Sequence, residues 1–167
     1  MDRAGCVLGL DVSLRCTGYG VVAPEGSRVV ARDSGTIPVA AGLPLTECLR
    51  RIHRTVAGLV DRWGPVAVAV EGGFFHRNAR TAMILGQARG AAICACGATP
   101  VFEYAPRKVK QAVVGYGAAD KSQVAAMVVR ILSLAADPPE DAADALAIAV
   151  CHVQTCSGHV ALAPQPI

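Results

Sequence analysis

Four acidic residues of this chain stand where a carboxylate is costly. Asp11 and Glu71 each end a strongly apolar run, at 6–10 and 66–70, while Asp141 and Asp144 lie in the first turns of the near-uniformly apolar stretch 139–150. Burying an isolated carboxylate is unfavourable unless a cation or hydrogen bonds compensate it. Read as a helix, 139–150 places Asp141 and Asp144 on one face, with Ala142, Leu146, Ala149 and Val153 roughly opposite, so a positive group is expected against the acids. Should the two strand-end acids meet the two helix acids, the group repels itself unless divalent cations occupy it. Mg²⁺ characteristically combines one or two carboxylates with waters and substrate phosphates. Two such ions ~3.5–4 Å apart activate a water and stabilise the leaving oxygen of an in-line phosphodiester displacement. The pattern predicts a metal-dependent nuclease. Taken singly, the acids have plainer readings: a strand-end acid is usually solvated, and Asp141 suits the dipole at a helix N-terminus. Asp144, inside the helix, has no capping role.

The elements that must position these acids follow from hydrophobic periodicity. Residues 6–12, 19–23 and 29–31 read as three consecutive strands separated by Gly, Pro and Ser. Pro44 opens an amphipathic helix with Leu45, Leu49, Ile52, Val56, Leu59, Val60 and Trp63 on one side, stopped by Gly64-Pro65. Residues 66–70 are apolar on both faces, as in a central strand covered by helices. A loop rich in aromatic and basic residues, 72–78, leads to a helix over 79–96 in which Ala82, Gly86 and Gly90 recur every four positions. A strand at 100–104, a short helix at 106–114 carrying Arg107, Lys108 and Lys110, a glycine-bearing loop and a helix from Lys121 to about Leu134 complete the series. The expected architecture is α/β: a mixed five-stranded β-sheet flanked by α-helices, one domain over 1–156 with a short tail at 157–167.

Composition sets the limits. With 167 residues, 53% hydrophobic content and mean hydropathy +0.41, one sizeable core is available. No apolar run approaches ~18 residues and Met1-Asp2-Arg3 opens no signal-type segment, so the expected location is cytoplasmic, with no membrane partner. Seven cysteines without paired spacing read as reduced thiols; a zinc site from Cys151, His152, Cys156 and His159 is conceivable but matches no strong pattern. The net charge of +3 favours a polyanion only weakly, yet sequestering four acids leaves a more basic remaining surface.

Ordered stretches carry a family resemblance: Leu8-Gly9-Leu10-Asp11 with Thr17-Gly18-Tyr19-Gly20; Val70-Glu71 with Phe74 and Asn78; Leu85-Gly86-Gln87-Ala88-Arg89-Gly90; Val101-Phe102-Glu103-Tyr104-Ala105; Val109-Lys110-Gln111-Ala112-Val113-Val114-Gly115; Asp120-Lys121-Ser122-Gln123-Val124; and Asp141 through Ala149. Over about 6–155 the chain resembles the bacterial RuvC family of Holliday-junction resolvases, of the ribonuclease H-like superfamily. The resemblance implies that Asp11, Glu71, Asp141 and Asp144 hold two Mg²⁺ ions, with Mn²⁺ as a substitute. It implies that Lys110 and Lys121 are basic catalytic residues at the scissile phosphate and that Phe74 stacks on bases. Arg77, Asn78, Arg80, Arg107 and Lys108 are the further expected DNA contacts, and the expected assembly is a homodimer on a four-way junction, with a branch-migration complex as a further partner. The helix over 79–96 is the candidate dimer contact, unless its small residues instead pack on its own sheet.

Two departures stand out. Val12-Ser13-Leu14 replaces the Pro-Gly and hydroxyl residue usual after the first Asp, resembling mobile-element versions, and Gly72-Gly73 is expected to loosen the loop bearing Phe74. Two other readings stay open. One is a junction-binding protein without efficient cleavage; the other is an actin-like or sugar-kinase-like module, with Gly9-Leu10-Asp11 as a first phosphate loop and Asp33-Ser34-Gly35-Thr36 as a second.

Overall fold

Strand β1 (Val7–Asp11) alternates as period-two geometry requires, Leu8 and Leu10 facing one way and Val7, Gly9 and Asp11 the other. The computed structural model describes residues 5–72, 78–156 and 164–167. β2 (Cys16–Glu25) pairs antiparallel with β1 and β3 (Arg28–Pro38) antiparallel with β2, while on the other side β4 (Ala67–Glu71) pairs parallel with β1 and β5 (Val101–Tyr104) parallel with β4, giving the order β3-β2-β1-β4-β5. The mixed five-stranded sheet is the one expected.

Helices cover both faces. On the Leu8/Leu10 face lie α1 (Leu45–Trp63), which buries Cys48, Ile52, Val56, Leu59 and Trp63, and α2 (Ala79–Cys94), which buries Ala88 and Ala92. Gly64, at φ 53°, ends α1 in the left-handed region that suits glycine, and its N–H donates to Val60 O. Trp63 Nε1 donates to Asp33 Oδ2 at 3.2 Å and ties α1 to β3. The opposite face carries α3 (Pro106–Val114), α4 (Lys121–Leu132) and α5 (Glu140–Cys156). A capping box starts α4, Asp120 accepting from Gln123 N while the Gln123 side chain accepts from Asp120 N. In α5 every residue from Ala145 to His152 is buried, so the helix is enclosed by the sheet on one side and by α3 and α4 on the other. Among the described residues, no helix is long and apolar enough to cross a membrane.

Three expectations change. The strands expected at 19–23 and 29–31 are much longer, 10 and 11 residues, extending across 16–25 and 28–38 with a bulge between Val21 and Val22. Gly18, Gly20, Pro24 and Pro38 look like turn residues, but the prolines lie at strand ends next to the sheet edge, where a missing donor is tolerated. Residues 33–36 pair with β2 inside β3 and form no phosphate loop, which removes the kinase-like reading. Finally, the ridge on α2 does not pack on its own sheet. Gly86 and Gly90 are exposed, and a methyl group at either would meet nothing among the described residues.

Within the same face as Asp11, glycine does something specific. A Cβ at Gly9 would lie 2.0 Å from Ala145 O, one at Gly18 would lie 1.8 Å from Asp141 O, and one at Gly20 would lie 2.7 Å from Leu146 Cδ2. No side chain fits between β1–β2 and α5. Gly18→Ala is therefore expected to cost about 3 kcal/mol, the upper end of overpacking penalties. Gly58→Ala, on an exposed position of α1 with open space around it, should gain about 0.5–1 kcal/mol. Urea denaturation midpoints check both, and equal effects would contradict the close-packing account.

Candidate active site

The register brings the acids together in two steps. Across β1 and β2, Gly9 pairs with Gly20 and Asp11 with Gly18, so three glycines and one aspartate form a contiguous patch. Onto this patch α5 lowers its first turns, Asp141 over Gly18 and Ala145 over Gly9, which leaves Asp144 beside Asp11. Leu10 pairs with Val70 in the parallel β1–β4 ladder, so Glu71 follows Val70 at the level where Asp11 follows Leu10 and faces the same side. The result is a cleft of about 290 Å³ lined by Asp11, Glu71, Asp144, Lys110 and Lys121, with Val109, Val124 and Ile148 as its apolar wall. Asp141 is not among the lining residues; its carboxylate interacts with the Cys16 thiol, and that interaction and burial hold the thiol pKa up.

The turn after Asp11 is built differently from a Pro-Gly turn but is well satisfied. Ser13 Oγ donates to Cys16 O at 2.8 Å and accepts from Cys16 N at 3.1 Å, and the buried Thr17 hydroxyl donates to Ser13 O at 2.8 Å. Val12-Ser13-Leu14 therefore still leads β1 into β2 with Asp11 facing Asp144.

Electrostatics record the crowding. Asp11 is pushed up to about 7, first by burial and then by Asp144, Glu71 and Asp141, with Lys121 opposing. Glu71 is raised by burial and by Asp144, opposed by Lys121 and Lys110. The positive group expected against α5 is Lys121, whose Nζ lies 2.8 Å from Glu140 Oε1 and 3.2 Å from Asp144 Oδ2, and whose pKa these bonds raise. Among the described residues, no three His, Cys, Asp or Glu side chains are drawn into a ready-made cation cage. The donor set itself, hard carboxylate oxygens around a cleft, fits a hard divalent cation that keeps several waters.

The other expected site residues are dispersed. Arg107 and Lys108 are exposed on α3, the stem of Arg107 lying against Gly117. Arg80 is exposed in the first turn of α2, and Asn78 caps that helix, its Oδ1 accepting from Thr81 N at 3.2 Å. Phe74 and Arg77 lie outside the described residues. So does His159 of the zinc reading. His152 is committed to Tyr104, with Nδ1 and Oη 2.8 Å apart, and its Nε2 lies 3.5 Å from Cys156 Sγ.

Sequence reasoning missed four residues around the site. Cys16 interacts electrostatically with Asp141, Glu140 shares Lys121, Tyr116 stands exposed with its hydroxyl donating to Gln123 Oε1, and Arg89 holds the backbone of Glu71. None has a motif of its own. Gly72 is also not a loosening residue: a Cβ there would lie 2.2 Å from the Glu103 side chain, and its N–H donates to Tyr104 O.

A family model described as crossover junction endodeoxyribonuclease RuvC matches residues 7–152. The chain belongs to the RuvC family. It is 45% identical to the crossover junction endodeoxyribonuclease RuvC of Idiomarina loihiensis over 163 residues, 94% of this chain and 92% of the relative. A Vibrio cholerae RuvC is 46% identical over 161 residues, 95% and 92% of the two chains. Thermus thermophilus RuvC in complex with Holliday junction substrate superposes with a TM-score of 0.90 at 36% identity, covering 98% of this chain and 99% of that one. The yeast mitochondrial Holliday junction resolvase, at 12% identity and a TM-score of 0.63, shares the fold alone. RuvC proteins are hydrolytic, metal-dependent nucleases with this ribonuclease H-like sheet.

The raised Asp11 predicts a pH effect on stability. Its folded value of about 7 exceeds the ordinary 3.8, so the folded chain binds a proton that the unfolded chain has released, and stability falls as pH rises from about 4 to about 7. Asp11→Asn removes the cost. It should stabilise the chain at pH 8 by at most about 4 kcal/mol, and hardly at all at pH 4. Thermal denaturation in EDTA at both pH values tests this; a variant no more stable than the parent at pH 8 contradicts it.

Proposed function

We propose that this chain resolves four-way DNA junctions by metal-dependent phosphodiester hydrolysis, placing two symmetric nicks as a homodimer in the cytoplasm. The observation that carries the reading is the single cleft in which Asp11, Glu71 and Asp144 face Lys110 and Lys121, in a chain of the RuvC family. Asp11, Glu71, Asp141 and Asp144 would hold two Mg²⁺ ions, for which Mn²⁺ substitutes. Bound there, the cations would supply an activated water and offset charge on the leaving oxygen.

The chain's own residues do the remaining work. Burial and mutual repulsion keep Asp11 and Glu71 reluctant to ionise, so the acids accept cations in exchange for protons. Lys110, half-buried in the cleft wall, is fixed in direction by α3 and reaches the scissile phosphate as a point charge. Lys121, exposed and shared between Glu140 and Asp144, can turn toward negative charge growing on the phosphate. Arg107, Lys108 and Arg80, all exposed, would add positive charge for the arms of the junction, with Asn78, Arg77 and the stacking residue Phe74 as the further expected contacts.

The homodimer rests on α2. Its buried side is short, while Gly86 and Gly90 are open and Met83 is 66% exposed, so a small-residue groove with an apolar flank is offered to a second copy. A branch-migration motor remains a further candidate partner.

Incubation of a synthetic four-way junction with Mg²⁺ should give paired symmetric nicks, abolished in Asp11→Asn and Asp144→Asn with junction binding retained. Lys121→Ala and Lys110→Ala should each slow nicking about 10²- to 10³-fold. Binding should weaken steeply with salt. Binding without nicks under Mg²⁺ or Mn²⁺ would instead establish the non-cleaving reading. Separately, Gly86→Leu should shift the sedimenting species from dimer to monomer, and an intact dimer would exclude α2 as the contact.

A further inference from the structure

Arg89 is the most deeply placed arginine near the site, its side chain only 15% exposed. A guanidinium so enclosed must have its donors satisfied by acceptors, preferably charged ones. Among the described residues it has two partners, on two different strands. One terminal nitrogen donates to the backbone carbonyl of Glu71 at the end of β4, and the other to the carboxylate of Glu103 on β5. The register explains why all three meet. Glu103 pairs with Val70 and Tyr104 with Glu71, so Glu103 faces the α2 side while Glu71 faces the cleft. Gly72 follows with no side chain, and the space its Cβ would take is filled by Glu103.

We infer that Arg89 is a positioning residue for the Glu71 carboxylate, acting from the opposite face of the sheet by clamping the Glu71 peptide to Glu103; this rests on the nuclease reading above. Glu71 needs such a restraint. Its carboxylate faces Asp144 across the cleft, and the peptide that follows it is held to β5 by the Gly72 N–H bond to Tyr104 O, after which β4 ends. Fixing the carbonyl fixes the last backbone torsion from which the side chain departs. Because Arg89 projects from α2, the clamp also joins the helix offered to a second subunit with one acid of the cleft.

The test uses EDTA-stripped protein and Mn²⁺ alone, read by water-proton relaxation, beside single-turnover nicking and junction affinity. Partners that orient a metal's ligands typically contribute 10- to 100-fold in metal affinity or activity. Arg89→Ala should raise the Mn²⁺ midpoint and slow nicking by about that range, with junction affinity unchanged. Arg89→Lys, which keeps the charge but cannot grip both acceptors, should fall between, and Glu103→Gln, which keeps an acceptor, should shift both readouts only several-fold. Arg130→Ala, in the last turn of α4, should match the parent. Arg89→Lys and Glu103→Gln decide the matter if Arg89→Ala does not fold. Variants that lose only thermal stability, with the Mn²⁺ midpoint and nicking rate within twofold of the parent, overturn the inference. A parent that binds Mn²⁺ without nicking defeats the nuclease reading but leaves the midpoint shift as the test of the clamp.

Discussion

The site depends on how closely α5 can approach the sheet. Two carboxylates near the start of a helix and one at the end of a strand are brought together only if the helix axis comes down nearly onto the strand backbone. Gly9, Gly18 and Gly20 make that approach possible, because the carbonyls of Ala145 and Asp141 and the side chain of Leu146 occupy the volume that three Cβ atoms would fill. Ordinary helix-on-sheet packing has a layer of side chains between the backbones. Its removal here brings Asp144 alongside Asp11 and costs the sheet the packing of three side chains. Leu146, Ile148 and Val150, all fully buried or nearly so, supply apolar contact elsewhere on the same helix.

That proximity sets the electrostatics. A lone buried aspartate would adjust by taking a proton, and Asp11 goes part of the way, its pKa reaching about 7. Four acids and two lysines form a less settled system. Lys121 answers Asp144 from an exposed position, while Lys110 answers Glu71 from the cleft wall. Neither neutralises Asp11, for which burial is the leading penalty. The arrangement is unfavourable for the chain by itself and favourable once positive charge enters, the usual relation between stability and a site preorganised for a ligand.

Much of this could be read from residue order. The acids were visible because each interrupts an apolar run, and Lys121 because an acidic helix face needs a cation. The helices expected at 45–63, 79–96 and 106–114 followed from period and punctuation, the second ending at Cys94. The long β2–β3 hairpin did not, since glycines serving as a floor for α5 are indistinguishable in sequence from glycines serving turns, and Pro24 and Pro38 reinforce the wrong reading. Arg89 was equally hidden. An arginine between Ala88 and Gly90 on an alanine-rich helix looks solvated, and only the three-dimensional juxtaposition with Glu71 and Glu103 gives it a partner. Sequence shows charges that break a pattern better than charges that satisfy one.

The two faces of the sheet divide the labour, and Glu71 is where they meet. On the α5 side the layer is dense and carries the acidic cleft; on the α1–α2 side, α1 is anchored through Trp63 while α2 buries little beyond Ala88 and Ala92. A helix held so lightly by apolar contact would shift easily relative to the strands. Arg89 counters that by a charged grip on the strand ends, and the grip converts a displacement of α2 into a displacement of the Glu71 peptide. A partner covering the open ridge at Gly86 and Gly90 would steady the helix, and with it the acid on the far side of the sheet. Were a second copy seated there, subunit association and the readiness of the cleft would be two consequences of one contact.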